Sequence, residues 1–157
     1  MKTLLTPLQV LRHAFGEGEY LPPDTIAGAD IAAAEQRYLR PVLGAALHDR
    51  LLAGDEAAFT AEYLAPALAR FTRLLIQPRL DLRTARTGTL APKDDHGTPP
   101  GEEPRRALRR SLRCEARALL RRAVAYIEAH AADFPDYDPD QNPLNRCTTD
   151  GGFVQIR

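Results

Sequence analysis

The chain has 157 residues, of which 44% are hydrophobic, and its 21 basic and 21 acidic side chains give a formal net charge of zero. Its two cysteines make no disulfide framework, and no run approaches the roughly 20 apolar residues of a membrane span. Composition therefore excludes a disulfide-stapled or membrane-spanning protein. We expect a soluble, intracellular and mainly α-helical one, because Ala and Leu dominate and Trp is absent.

The charges are segregated along the chain. Residues 1–65 carry five basic and nine acidic side chains (net −4), and residues 66–130 carry 14 and seven (net +7). Residues 131–157 carry two and five (net −3). This pattern suits self-association through unlike patches or a local anionic partner. Internal pairing of the basic segment with the acidic tail is the alternative.

The N-terminal residues predict a short helix. Thr6 followed by Pro7 is typical of an N-cap and a proline in the first helical turn. Apolar residues then follow at helical spacing: Leu8, Leu11 and Phe15.

The stretch EQRYLRPVLG, residues 35–44, has a helical apolar pattern on both sides of Pro41. Proline lacks the N–H that a helix requires and pushes the preceding residue, Arg40, towards extended geometry. We therefore expect one helix to end near Leu39 and another to begin with Pro41 in its first turn. Gly44 has no side chain, which favours a close approach of neighbouring backbone. The prediction is a rigid helix–corner–helix unit, marked by Glu35, Tyr38, Pro41 and Gly44.

The rest of the chain predicts a further helix, a loop, a long helix and an arm. A helix should run from about Phe59, with a kink at Pro66, to near Pro78, and the Pro- and Gly-rich residues 84–104 should form an exposed loop or loose hairpin. The longest helix should run from about Glu102 to Ala132, with a buried stripe of Leu108, Leu112, Leu119, Ala123 and Tyr126. The fold prediction is a small helical bundle, residues 1–133, with an extended C-terminal arm, residues 134–157.

Arginine is concentrated on one side of the longest helix. At about 100° per residue, most of its arginines fall within an arc of about 160°: Arg105, Arg106, Arg109, Arg110, Arg113, Arg117 and Arg121. This ridge could contact phosphates, although no aromatic residue is interleaved with it. A solvated surface, or pairing with acidic segments of the same or a neighbouring chain, is the other interpretation.

The sequence shows no catalytic or metal-binding constellation, so we expect no enzyme activity, no cofactor and no metal. Glu35 beside Tyr38 is expected to form a cap or to pair with Arg37 or Arg40. Four histidines are scattered without the spacing of a helical zinc site: His13, His48, His96 and His130. Three aspartates alternate as at the start of a calcium loop, but Gln and Cys replace its Gly and Glu: Asp136, Asp138 and Asp140.

The run DIAAAEQRYLRPVLGAALHDRLLAGD resembles the hallmark of an uncharacterised family of prophages and mobile elements in Bacteroides-type bacteria. The matching positions are Ile31, Ala34, Glu35, Tyr38, Leu39, Pro41, Val42, Leu43, Gly44, Leu47, Asp49 and Leu51. Downstream, YLAPALARF is similar to the family's next helix, and the likeness covers about residues 25–82. The high arginine content departs from the family pattern.

That family resembles the head–tail connectors, or head-completion adaptors, of tailed phages. The resemblance implies a structural virion protein of the neck, assembled in the bacterial host cytoplasm. It would form a homo-oligomeric ring, commonly twelve-fold, between the portal protein and stopper or tail proteins. DNA would pass through the channel without specific readout, and no membrane would be involved. The alternative is a DNA-binding accessory protein of a mobile element that uses the arginine-rich helix.

In this interpretation the arginine ridge and the C-terminal arm make the contacts with other chains. Residues 84–104 and 134–157 should contact their own body least and other chains most, because their prolines and glycines cannot build a packed element. The terminal GFVQIR should add as a strand to a partner's sheet edge. The interface residues are Arg105, Arg109, Arg113 and Arg117 on the ridge, and Tyr137, Leu144, Phe153, Val154 and Ile156 on the arm.

Overall fold

The computed structural model describes residues 2–16, 19, 21–81, 83–85, 88–90, 101–145, 147–150 and 153–156, and in the four strands it describes the backbone alone. This part of the chain is mainly α-helical, as the sequence predicts. A 3₁₀ turn lies at Pro23–Thr25, and π-helical turns lie at Glu35–Leu39 and Thr60–Leu64. The α-helices are α1 (Pro7–Ala14), α2 (Gly28–Ala34), α3 (Arg40–Leu43), α4 (Ala45–Ala53), α5 (Ala57–Phe59), α6 (Ala65–Asp81) and α7 (Glu102–Ala129).

Two short antiparallel hairpins are present in the described chain. β1 (Arg83–Ala85) pairs with β2 (Gly88–Leu90) within the predicted loop, whose residues 91–100 lie outside the described residues. β3 (Cys147–Asp150) pairs with β4 (Phe153–Ile156). The GFVQIR segment therefore pairs with a strand of its own chain. The sequence analysis expected it to pair with the sheet edge of a partner. Three predicted anchors have side chains outside the described part: Phe153, Val154 and Ile156.

Helix α1 begins as the sequence predicts. The Thr6 hydroxyl accepts from the Gln9 backbone N–H (3.4 Å), and the Gln9 side chain accepts from the Thr6 N–H (2.8 Å). This capping box satisfies donors that a helix start leaves open. The inward face differs from the prediction, because Val10 and Ala14 are fully buried while Leu8 is 60% exposed. Val10 and Ala14 are four residues apart and lie on one helix face, which points into the core. Leu8 lies on a different face and is exposed.

Helix α6 is the centre of the core. It packs against α1, α2 and α7, and buried residues surround most of its circumference. That distribution is typical of a helix enclosed by others, rather than of a surface helix with one apolar stripe. The helix continues past Pro78, its predicted end, to Asp81. Pro78 lies in the last turn and has no N–H to donate to the Leu74 carbonyl, so the helix ends three residues later. The buried apolar residues of α6 are Ala65, Ala67, Leu68, Ala69, Phe71, Leu74 and Ile76.

The chain passes Pro41 without leaving the helical conformation. Arg40 keeps helical angles (φ −56°, ψ −40°), where extended geometry was expected. Its N–H donates to the carbonyl of Glu35, five residues earlier, so the turn before the proline is a π turn. A π turn holds one extra residue and moves aside the carbonyl that a proline ring meets in a regular α-helix. The predicted break near Leu39 is thus a change of helix type, with Pro41 in the first turn of α3 as predicted.

The same device occurs again at Pro66. The Ala65 N–H donates to the carbonyl of Thr60, again five residues earlier, and α6 begins immediately before the proline. Both turns end in Tyr-Leu-X-Pro, at residues 38–41 and 63–66. The leucine is fully buried in both cases, at Leu39 and Leu64. In both places, therefore, the tetrapeptide coincides with a π turn that relieves the steric clash of a proline ring with the preceding helix.

The chain changes direction at Gly44, between α3 and α4. Its φ of 82° and ψ of 159° lie in a region that side-chain-bearing residues rarely adopt. The reason for the glycine differs from the prediction. A Cβ placed on Gly44 would meet no atom within 4 Å, so no neighbouring backbone approaches closely. The corner requires glycine for its backbone angles rather than for its size.

Replacing Gly44 with Ala should lower the free energy of unfolding by about 1–3 kcal/mol, because the strain is in the backbone. For the same reason Gly44→Leu should have a similar effect. Gly28→Ala is the matched control, since its site is equally open and has no positive φ. Denaturant unfolding measures all three variants. A Gly44→Ala variant as stable as wild type contradicts the backbone argument, and a far less stable Gly44→Leu variant would restore the close-approach explanation.

A buried arginine ties α6 to the end of α1. Arg73 donates to the Ala14 carbonyl (2.6 Å) and to both carboxylate oxygens of Glu19 (2.5 and 2.9 Å). Its guanidinium also lies 4.3 Å from the centroid of the Phe15 ring. The hydrogen bond from Arg73 lowers the pKa of Glu19. These contacts satisfy a carbonyl at the end of α1 and neutralise a guanidinium that is largely withdrawn from water.

The lowered pKa of Glu19 predicts a specific acid sensitivity. The stabilisation is present above the ordinary glutamate pKa, about 4.3, and is lost as pH falls through the lower pKa of the folded state. Glu19→Gln should therefore be less stable than wild type at about pH 7 and should lose less stability on acidification to about pH 3. Asp55→Asn is the control, because Asp55 is exposed and makes no ion pair among the described residues. Equal acid losses in wild type and Glu19→Gln would contradict this assignment.

Candidate interaction surface

Helix α7 runs from Glu102 to Ala129, close to the predicted range, and is about 42 Å long. The prediction of a buried stripe is confirmed at Leu112 and Ala123, whereas Leu108 is 37% exposed. Residues 102–111 include no buried residue, although Arg105 and Arg109 are half-buried, so this end of the helix adds no side chain to the core. The buried residues are Leu112, Ala116, Leu120, Ala123, Val124 and Ile127.

Exposed arginines follow α7 along its length. Arg106 pairs with Glu102 (2.7 Å). Arg105 and Arg109 are half-buried, and the Nε atom of each lacks a hydrogen bond within the described chain. The predicted pairing of this ridge with the acidic tail is not seen in the described residues. Four further arginines are exposed and make no ion pair there: Arg110, Arg113, Arg117 and Arg121.

Acidic side chains gather at the opposite end of α7. Residues 128–140 contain five acidic residues and no Lys or Arg. They lie at the C-terminal end of the helix, because Phe134 is 2% exposed and its ring centroid is 4.9 Å from that of Phe59. About 28 Å of helix separates Arg109 from Glu128. Arg50 of α4 pairs with Asp136 in this acidic cluster (3.0 Å) and neutralises part of it. The remaining acidic side chains still make the molecule electrically polar along α7.

Residues 134–145, predicted to begin an extended arm, fold back onto the body. The Tyr137 hydroxyl accepts a hydrogen bond from the buried side chain of Asn142 (2.7 Å), and burial raises the pKa of Tyr137. Tyr137 and Leu144, both predicted as intermolecular anchors, pack against the core of their own chain. Phe134, which sequence analysis did not select, is the most deeply buried apolar residue of this segment. Apolar side chains between the prolines thus find a surface to bury within the chain.

A groove of about 390 Å³ lies where the arginine ridge passes the corner unit. Three exposed arginines border it: Arg37 from the first π turn, and Arg113 and Arg117 from α7. None of the three makes an ion pair within the described chain, and no acidic residue described there lines the groove. Glu115 lies between two of them in sequence but pairs with Arg70 instead (3.4 Å). The groove therefore carries positive charge that these residues leave unneutralised.

The floor of this groove is apolar. Tyr38 stacks on Phe71 of α6, with 4.2 Å between ring centroids and 10° between ring planes. The Cζ atom of Arg37 lies 5.5 Å from the centroid of the Tyr38 ring. Because Phe71 occupies one face of the Tyr38 ring, Arg37 covers the other face. Pro143 and Leu144 contribute from the folded-back segment. The groove brings together the corner, the ridge and the tail, which the sequence analysis treated separately.

Glu35 is buried at the corner rather than paired with Arg37 or Arg40 as predicted. Its side chain is 2% exposed and accepts a hydrogen bond from the Leu4 backbone N–H (2.7 Å). One ring nitrogen of the buried His48 lies 3.7 Å from the Glu35 carboxylate. The Glu35 hydrogen bond fastens the N-terminal segment to the corner, whereas neither ring nitrogen of His48 makes a hydrogen bond within the described chain. His48 was missed, although its position between Leu47 and Leu51 on one helix face indicates an inward side chain.

The described residues carry features that suit electrostatic recognition. Among them, no three or more His, Cys, Asp or Glu side chains are grouped so that they could hold a metal ion. No helix described here has both the length and the apolar character needed to span a bilayer. Cys114 is a free, exposed thiol on α7. The notable features are the polar distribution of charge and the basic groove.

Comparison with known proteins identifies one family. A family of unknown function (DUF6712) matches residues 32–146, which is more than half of the chain. The match begins in α2 and ends beyond the folded-back segment, so it includes the corner, the groove and α7. No curated protein and no solved structure matches the chain. The chain belongs to the DUF6712 family, whose function is unknown.

Proposed function

We propose that the protein is an architectural subunit that assembles into a ring, as the head–tail connectors (adaptors) of tailed phages or phage-derived particles do. The observation that supports this proposal is the separation of charge along α7. Arg105, Arg109 and Arg110 lie at the N-terminal end of α7, where no residue from 102 to 111 is buried and Arg110 is exposed. Asp133 and Asp138 lie exposed beyond the opposite end.

The two charged ends cannot neutralise each other within one molecule. The rigid helix holds them about 28 Å apart, far beyond the screening length of about 8 Å at physiological salt. A second copy can bring its acidic end to the basic end of the first. Such a contact joins two different surfaces, and repeating it closes a ring if the rotation between copies allows closure.

The ring would occupy the neck of the virion and would assemble in the cytoplasm of the bacterial host. Its two faces would contact the portal protein on one side and stopper or tail proteins on the other. DNA would pass through the channel and meet exposed arginines without base readout, because arginine–phosphate contacts carry no sequence information. No membrane has a part in this proposal.

The alternative is a DNA-binding accessory protein of a mobile element. The exposed Arg110, Arg113, Arg117 and Arg121 favour it, because guanidinium groups suit phosphate oxygens. A monomeric mass together with a steep fall of DNA affinity with salt would support this alternative over the ring.

Charge reversal with complementary rescue tests the ring. Arg109→Glu/Arg110→Glu should be monomeric, because both of its ends are then acidic. Asp133→Lys/Asp138→Lys should be monomeric, because its acidic end falls from five acidic side chains to three acidic and two basic ones. An equimolar mixture should regain association, since the intact acidic end of the first variant can meet the intact basic end of the second. Light scattering after size exclusion measures the masses, and circular dichroism checks the folding of each variant.

The control for this test is Arg12→Glu, a reversal at an exposed arginine of α1 outside the proposed contact. It should assemble like wild type. Assembly of either double variant alone, or a mixture that stays monomeric while both variants are folded, would contradict the head-to-tail contact.

A further inference from the structure

We propose that the groove bordered by Arg37, Arg113 and Arg117 is a docking site for an extended acidic segment of a partner protein. The site is distinct from the ring contact, which uses the N-terminal end of α7 around Arg109. The inference does not depend on ring formation.

The charge of the groove selects an anionic ligand. Arg37, Arg113 and Arg117 stand around one opening of about 390 Å³ without an ion pair in the described chain. The nearest acidic neighbour in sequence, Glu115, is turned towards Arg70. Guanidinium groups recognise carboxylates through paired N–H donors, which are strong hydrogen bonds when both partners are charged. An anion in the groove therefore gains bonds and relieves repulsion among three like charges.

The spacing of two arginines suits an extended chain. Arg113 and Arg117 are four residues apart on α7, which corresponds to a rise of about 6 Å. Alternate residues of an extended peptide are about 6.6 Å apart and point to the same side. Two carboxylates separated by one residue can therefore each face one of these arginines. The intervening side chain then points the other way.

The floor of the groove distinguishes a peptide from a nucleic acid. Single-stranded nucleic acids bind largely by stacking bases on free aromatic faces. Here Tyr38 is covered by Phe71 on one face and by Arg37 on the other, and Phe71 is 2% exposed. No free ring face is offered by these two residues, whereas Leu144 and Val42 supply aliphatic surface. This surface fits an aliphatic side chain placed between two acidic ones.

Peptide binding to the full chain tests this proposal. The probe is fluorescein-labelled Asp-Leu-Asp-Leu-Asp with an amidated C-terminus, and fluorescence anisotropy measures its affinity. We expect a dissociation constant of about 100 μM, and a loss of about tenfold or more in Arg113→Gln/Arg117→Gln. Versions of the peptide with Asn for Asp, or with Ser for Leu, should each bind more weakly.

The matched control is Arg110→Gln/Arg121→Gln, which removes the same charge from the same helix at exposed, unpaired positions outside the groove. It should bind the probe nearly as well as wild type. An equal loss in both double variants would show general charge attraction and overturn the site. Absence of binding up to about 1 mM peptide would also overturn it.

Two competition experiments assign the occupant. A thymidine oligonucleotide of equal charge that binds more tightly than the peptide, with the same dependence on Arg113 and Arg117, would assign the groove to nucleic acid and overturn the proposal. Displacement of the labelled peptide by excess Arg113→Gln/Arg117→Gln protein would assign it to a second copy of this chain, with the same consequence. Failure of both competitors to displace the peptide is the expected result.

Discussion

Two prolines that follow π turns, Pro41 and Pro66, impose the constraint on which the rest of the structure depends. A proline in a regular helix leaves one carbonyl without its donor and presses its ring against that carbonyl. At Pro41 and Pro66 the preceding turn widens to a π turn, which accommodates the ring without breaking the helix. The same turns aim two tyrosines at aromatic partners. The ring centroids of Tyr38 and Phe71 are 4.2 Å apart, and those of Tyr63 and Tyr126 are 4.4 Å apart.

These two contacts determine where the charged surfaces lie. Because Tyr38 is fixed on α6, Arg37 is held beside the arginines of α7 and a basic groove results. Because Tyr63 meets Tyr126, the C-terminal part of α7 is fixed to the body, while residues 102–111 contribute no buried side chain. Basic side chains therefore gather near the N-terminal end of α7, and acidic side chains lie beyond its C-terminal end. The proposed assembly and the proposed docking site both follow from this arrangement.

Local features were predictable from the sequence. The cap at Thr6 and the start of α7 at Glu102 depend on a few adjacent residues, and both are confirmed. The burial of individual side chains was less predictable. Leu8 and Leu108 have the spacing of core residues but are exposed, because periodicity does not tell where a helix passes beyond its neighbours.

Features that join distant segments could not be predicted. The contact of Glu35 with His48 depends on the direction of α4 after Gly44, whose backbone angles no neighbouring residue determines. The folded-back segment depends on a surface that α4, α5 and α7 build together, so proline content alone indicated an arm. The groove unites residues from Arg37 to Leu144, and only the assembled fold places its three arginines around one opening.

The central claim is that copies of this chain associate through unlike ends into a closed assembly. Negative-stain electron microscopy of the wild-type protein at physiological salt tests it most directly. We expect discrete rings of uniform diameter, because a repeated contact between two different surfaces gives a fixed number of copies when the rotation between copies closes. Particles no larger than a single copy, or open filaments without rings, would contradict the account.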